Sequence, residues 1–554
     1  MNTRSMDKVL FIVPPYVTFD RFVSPSFNER TNKKKSGQYG SVMTDMPLGV
    51  LSLSAYIKKH TSVEIRLLDF NIVLNKLESF DYRSFPELFR AILLSKEWAD
   101  YSPNIIGIST LFTPSYYNML DVARVARETF PGALILAGGG IPTNMYKEIF
   151  KSSDSFDALC YGEGEKPLRG LIEAEDRKRF LETHLSWITR EKAERKRSFR
   201  HDFIEDLDEI PFLDYGLLDL GAYSLNPIQS LFPLAGEPRK SMPVLTSRGC
   251  PHHCCFCASH TVHGRIMRYH SLQRIREDFT RLKETYGVQT LVFQDDHLMS
   301  DKNRVYAIID IMKELQLTAF FPSSLALYAL DRKMLEALKS IGVNHLILSV
   351  ESGSDRVLRE IMHKPLNLSI VKRVIDDCRE LGIASDVSIL IGLPGETKQD
   401  IEDARAFLKT LDATWFRISM ATPLVGSEML DICIKKNYLK GSYIDGDFKN
   451  AIIETEDFTA EYLQSEAYAL NLELNFVGNS DLRLGHYETA LKGFENVIKV
   501  KSDHAFAFYY GAQCCNALGS EEKCRAYKAR YREIVETIPF WSECVKRYGL
   551  EPSV

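Results

Sequence analysis

The sequence predicts an α/β chain in successive parts: a doubly wound domain at 1–173, a charged connector at 174–240, a partial β/α barrel at 241–450 and α-helical repeats at 451–554. Three observations carry this. Two long stretches alternate short β-branched runs with amphipathic ones. A mixed-charge run separates them. Landmarks near the C-terminus recur at a fixed offset. At 554 residues the chain also exceeds the size at which one core stops growing.

In the first part, strands are expected near 9–13, 64–68, 105–109, 133–137 and 157–161, with helices at 48–59, 115–129, 143–150 and 165–172. Such a sheet presents ligands to the carboxyl ends of its strands. Two loops fall at that rim, Ile106-Gly-Ile-Ser-Thr-Leu-Phe-Thr-Pro-Ser115 and Leu136-Ala-Gly-Gly-Gly-Ile-Pro-Thr143. They bring hydroxyls and side-chain-free backbone, which suit either a bulky ligand or an ordinary turn. The runs Glu175-Asp-Arg-Lys-Arg179 and Arg190-Glu-Lys-Ala-Glu-Arg-Lys-Arg197 then read as solvated faces of a connector.

The second alternating stretch has strands near 244–246, 290–294, 319–321, 345–350, 386–391 and 416–420. In barrels, functional side chains come from carboxyl ends of strands. Cys250, Cys254 and Cys257 follow the first strand in C-x3-C-x2-C spacing, which supplies three thiolates to a cluster that takes four ligands and leaves one iron open. The alternative is a zinc knuckle or free thiols. Against it, the other cysteines of the eleven are scattered and form no second close pair. Cys255 breaks the spacing and reads as a bystander.

Near the C-terminus, Gly485-His-Tyr-Glu-Thr-Ala490 and Gly519-Ser-Glu-Glu-Lys-Cys524 share landmarks 34 positions apart, the period of tetratricopeptide repeats. Phe494 and Phe508 stand where neighbouring helices would interlock. Net charge is −5 and no long apolar run is present, so nothing calls for nucleic acid or a membrane. The polar start Met1-Asn-Thr-Arg-Ser-Met-Asp-Lys8 shows no export signal, and cysteines without a paired framework fit a reducing cytoplasm.

The two rim loops together resemble the cobalamin-binding domain of corrinoid-dependent methyltransferases, which is Rossmann-like (flavodoxin-like). The resemblance implies Ser109 and Thr113 as partners of the cobalamin nucleotide tail, with Gly138, Gly139 and Gly140 making room for it. Tyr161-Gly-Glu-Gly-Glu165 looks like that family's rim, which brings in Glu163 and Gly164. The family's D-x-H-x-x-G run is missing, since no histidine lies between Pro14 and Pro47. The implied cobalamin (vitamin B12) therefore lacks a histidine lower ligand.

The central part resembles the radical S-adenosylmethionine (radical SAM) superfamily, a partial TIM-type barrel, in members preceded by a cobalamin domain. By position Cys250, Cys254 and Cys257 would hold a [4Fe–4S] cluster beside Phe256. Gln294, Asp295 and Asp296 stand where the family has its G-G-E element near the methionine amino group, and a helix N-cap is an equal reading for the two aspartates. Glu351 matches the ribose contact, while Gly392, Pro394 and the strand end 418–423 would flank the adenine. His252, His253, His260 and His263 read as surface or packing residues.

The implied activity is radical C-methylation of an unactivated carbon, using methylcobalamin and a 5′-deoxyadenosyl radical, with no side-chain base required. A cyclase or ring-rearranging enzyme on the same cofactors is the second reading. A non-catalytic cobalamin or redox sensor is the reading from another class. Implied partners are a small-molecule or natural-product substrate, a flavodoxin or ferredoxin as reductant, and a protein contact through the repeats.

Overall fold

The computed structural model describes residues 6–550 apart from 26–30, 43, 196–197, 224–238, 445 and 447–449. The first domain is built on strands β1 (Asp7–Val13), β4 (Val63–Asp69), β5 (Ile105–Ser109), β6 (Leu134–Gly138), β7 (Ala158–Cys160) and β8 (Trp187–Ile188), ordered β4-β1-β5-β6-β7-β8. All pair in parallel except β8, which runs antiparallel to β7. Val9 to Val13 are buried without alternation because helices cover both faces of the sheet. Strand order reverses between β1 and β5, and that switch point opens the crevice of such sheets. Two side chains tie the loops there: Ser115 Oγ and Asn118 Nδ2 each donate to the Pro15 carbonyl at 2.9 Å.

Three features depart from the expected elements. The helix expected at 143–150 is two short helices, Gly140–Asn144 and Tyr146–Ser152, broken at Met145. A hairpin, β2 (Thr31–Lys34) with β3 (Gly37–Gly40), and helices Phe70–Lys76, Phe85–Leu93 and Lys96–Tyr101 fill stretches where no element was read. The start of the connector folds back as helix Arg177–Thr183, β8 and helix Arg190–Glu194, so β8 ends the first sheet. Lys192, from the charged run, is buried and donates to the Leu181 and His184 carbonyls at 3.1 and 2.7 Å. Lys196 and Arg197 lie outside the described residues.

The barrel is an arc of six strands in two parallel threes. One is β9 (Ser241–Val244), β12 (Thr290–Phe293) and β13 (Thr318–Phe320). The other is β14 (His345–Glu351), β15 (Ala384–Ile391) and β16 (Trp415–Met420). Among the described residues no ladder joins β13 to β14; the Phe320 and His345 rings stack there at 6.3 Å. Between β9 and β12, a ribbon of β10 (Ser247–Arg248) and β11 (Arg268–Tyr269) closes the stem of the cysteine loop.

Helix Ala460–Leu472 covers the open side of β16, and Asn475 meets that strand's backbone. Beyond it lie helices Tyr487–Val500, Ala505–Ala517, Glu521–Thr537 and Pro539–Tyr548, the second pair starting 34 residues after the first. Phe494 and Phe508 are buried between them. No helix among the described residues is long and apolar enough to cross a membrane.

Candidate functional site

The cysteine loop leaves β10 and returns at β11. Gly249, at φ 95°, makes the exit possible, because a side chain there would run into the Ile266 carbonyl. Cys255, the residue out of spacing, is the loop's anchor. It is buried, its N–H donates to Met362 O at 3.0 Å, and its carbonyl accepts from Met429 N–H at 2.9 Å. Burial pushes the Cys255 thiol up to about 12. With Cys255 turned inward, Cys250, Cys254 and Cys257 remain partly exposed and free of disulfides. Among the described residues no three histidine, cysteine or carboxylate side chains are gathered as a ready cage for a single ion. Three soft thiols on one loop are a donor set that suits an iron–sulfur cluster.

Around this loop the strand ends contribute as follows. Glu351 ends β14 at φ 73°, a left-handed backbone that a glutamate adopts only under constraint. Its register slips by one residue against β15. Burial raises the Glu351 carboxyl and Lys364, with Nζ 3.9 Å away, lowers it. Lys364 also lies over the Phe256 ring at 6.0 Å, so Phe256, Glu351 and Lys364 converge beside Cys254. Gly392 lies under Leu463, and Pro394 is buried in the same turn. Glu396 closes that turn by accepting from the Gly392 and Leu393 N–H groups at 2.5 and 3.0 Å.

Gln294, Asp295 and Asp296 separate by exposure: Gln294 is exposed, Asp296 half-buried and Asp295 buried. Asp295 caps no helix, the caps that follow being His297 and Asp301. The Asp295 Oδ1 accepts from Thr246 N, Thr246 Oγ1 and Ser247 Oγ at 3.0, 2.8 and 2.6 Å, which fixes the chain entering the stem.

In the first domain, Ser109 and Thr113 flank a rim where Leu111 and Phe112 are 56% and 46% exposed, with Phe112 edge-on to Tyr16 at 5.6 Å. Thr110 between them is buried, and its hydroxyl has no hydrogen-bond partner. The residue missed here is that threonine. An exposed apolar rim with an unsatisfied hydroxyl beneath it suits a large ring with polar substituents such as cobalamin. Gly138, Gly139 and Gly140 bring the two loops together. A Cβ on Gly139, at φ 107°, would stand 2.5 Å from Thr110 O. The room these glycines make is therefore between loops.

Glu163 is a correction. Expected on the ligand rim, it is instead buried, with its carboxylate engaged by Arg268 at 2.9 and 2.6 Å, His263 Nδ1 at 2.9 Å and Arg248 at 3.3 Å. Burial alone would raise its pKa, but the two arginines and the hydrogen bond to His263 hold the carboxyl far below the ordinary carboxylate range. Gly164 packs on Leu53 rather than on open space. His263, expected as a surface or packing residue, belongs to this group. His252 also has company: Tyr328 Oη lies 2.8 Å from His297 Nε2 and 3.5 Å from His252 Nε2, and burial lowers His297 to about 4. Lys364, His297, Tyr328, Arg248 and Arg268 carry no motif spacing, so only the fold brings them to the site.

Known families match two parts of the chain. Residues 43–172 match the B12 binding domain and residues 244–408 the Radical SAM superfamily. An uncharacterised methyltransferase of Pyrococcus horikoshii is 25% identical over 432 residues, covering 78% of this chain and 84% of its own. The cytidylyl-2-hydroxyethylphosphonate methyltransferase of Streptomyces wedmorensis is 27% identical over 372 residues, covering 62% and 69%. The solved structure of the cobalamin-dependent S-adenosylmethionine radical enzyme OxsB with aqua-cobalamin bound superposes with a TM-score of 0.63 at 14% identity, covering 99% of this chain and 82% of that one.

Proposed function

We propose that this chain, carrying a B12 binding domain and a radical SAM domain, is a cobalamin-dependent radical SAM C-methyltransferase. The single observation that carries the reading is the seating of a three-thiol loop at the first strand end of a barrel, pinned against the rim of a second α/β domain. Its cofactors are a [4Fe–4S] cluster, S-adenosylmethionine and cobalamin. When bound, they supply one-electron cleavage of a sulfonium and a carrier for a methyl group.

The chain's own residues do the rest. Cys250, Cys254 and Cys257 would hold the cluster and leave one iron for the amino acid end of S-adenosylmethionine. Lys364 offers a cation to that end's carboxylate, and Glu351 an acceptor to a ribose diol. Phe256 and Leu463 narrow the space beside them and limit water. Ser109, Thr110 and Thr113 would receive the cobalamin tail. Tyr328, 40% exposed and hydrogen-bonded to a neutral His297, stands where a polar substrate group would enter.

The substrate on this reading is a small molecule or natural product, the electron comes from a flavodoxin or ferredoxin, and the compartment is a reducing cytoplasm. The 34-residue offset between helix pairs supports a tetratricopeptide-like reading of the C-terminal part. Anoxic reconstitution tests the function: S-adenosylhomocysteine and 5′-deoxyadenosine should both accumulate. 5′-Deoxyadenosine without S-adenosylhomocysteine would favour ring closure or rearrangement, and ligand binding without either product would favour a sensor.

A further inference from the structure

The stem of the cysteine loop carries two like charges face to face. Arg248 pairs directly with Arg268 across the β10–β11 ribbon. Like charges directly opposite on antiparallel strands repel, and both residues are buried, where no water screens them. The stem closes because the first domain places a carboxylate between them. Glu163 accepts from both terminal nitrogens, Nη1 and Nη2, of the Arg268 guanidinium and pairs with Arg248. Glu165 Oε1 takes the other arm of Arg248 at 2.8 Å and also accepts from Ser52 Oγ at 2.6 Å. Ser52 in turn accepts from Arg248 at 3.0 Å. Arg268 donates further to Ile204 O at 2.8 Å and lies over the Phe203 ring at 4.2 Å, both on the connector.

On its other side the stem is held by Asp295 from the barrel itself. The ribbon is thus clamped between one carboxylate of its own domain and two of its neighbour's. The grip falls on Arg248, two residues ahead of the first cluster cysteine, and not on the barrel's outer helices. Domains joined by a connector move relative to each other unless something at the interface stops them. Arginine forks bonded to carboxylates fix direction as well as distance.

We propose that Glu163, Arg248 and Arg268 are positioning residues that lock the cysteine loop to the rim of the first domain, so that the spacing between the two cofactor sites is set by this charge lattice. The proposal rests on the reading that the loop holds the cluster and the first domain holds cobalamin. Removing the lattice should leave each site able to bind while their separation becomes ill-defined.

The test compares full-length wild type with Glu163→Gln and Arg248→Lys, reconstituted anoxically with iron, sulfide and cobalamin. Iron and cobalamin content are measured first, then the dipolar coupling between cob(II)alamin and the reduced cluster by pulsed paramagnetic resonance. Hydrogen exchange of the full-length chain without cofactors is the second readout. The expected result is full loading with a broadened coupling. Exchange should rise about tenfold at 249–267 in Glu163→Gln and at 162–165 in Arg248→Lys, each across the domain boundary from the substitution. An unchanged coupling, or exchange that rises only within the substituted domain, overturns the proposal. If Glu163→Gln does not accumulate, Arg268→Lys, which keeps the charge and loses the fork, takes its place, with the rise in exchange then expected at 162–165. A wild type that loads neither cofactor refutes the proposed function instead, and the exchange comparison still decides the lattice.

Discussion

Asn475 exchanges both hydrogen bonds of its side-chain amide with the backbone of Phe416: Phe416 N–H donates to Oδ1 and Nδ2 donates to Phe416 O, each at 2.7 Å. Phe416 lies on β16, the last strand of the arc, whose outer edge would otherwise offer unpaired groups. The helical C-terminal part therefore completes the barrel. Asn475→Leu should leave two buried backbone groups unsatisfied and cost roughly 2–5 kcal/mol. Urea unfolding of the apoprotein checks this, and an unchanged midpoint would mean the strand finds other partners.

The two halves of the site should separate by mutation. Cys257→Ala should abolish iron loading and 5′-deoxyadenosine formation while cobalamin is retained. Gly139→Val, forced to a positive φ and against Thr110 O, should do the reverse. Iron assay and the optical spectrum of bound cobalamin distinguish them, and two variants that each keep both cofactors would refute the site map.

Lys364→Met should weaken S-adenosylmethionine binding by about 10–100-fold, the worth of one charge-assisted hydrogen bond, and leave the iron content unchanged. Equilibrium binding to the reconstituted enzyme measures it. Wild-type affinity in the variant would remove Lys364 from the site.

Stability should fall with rising pH through the neutral range because of Glu396. Burial pushes its carboxyl up to about 7, against the two backbone N–H groups it accepts from. Since the folded chain holds this proton above the pH at which the unfolded chain releases it, stability is complete below about 4.5 and is lost as pH rises through 7. The loss amounts to roughly 3 kcal/mol. Glu396→Gln, whose amide oxygen can accept the same bonds, should match wild type at pH 5 and exceed it at pH 8. Equal pH slopes for the two proteins would refute the assignment.

The main parallel strands were legible to within a few residues because they read as short runs rich in apolar residues, continuous in Val9–Val13 and alternating in 387–391. β8 was not, since Trp187 and Ile188 are two residues with no period to detect. The three partly exposed thiols of one loop were legible as a group because they sit close in sequence. Glu163 was misread for the opposite reason: its partners Arg248 and Arg268 lie 85 and 105 positions away, and nothing local distinguishes a rim carboxylate from a bridging one. Lys364 likewise carries no local signal, whereas Glu351, the carboxylate it faces, stands out by its place at the end of an apolar strand.

Between β13 and β14 no strand ladder forms among the described residues, and Val292, Phe320 and Ile347 pack there with the Phe320 ring stacked on that of His345. The two three-stranded leaves thus meet through side chains, and a substitution at Val292, Phe320 or Ile347 bears on the join between them rather than on either leaf's own ladder.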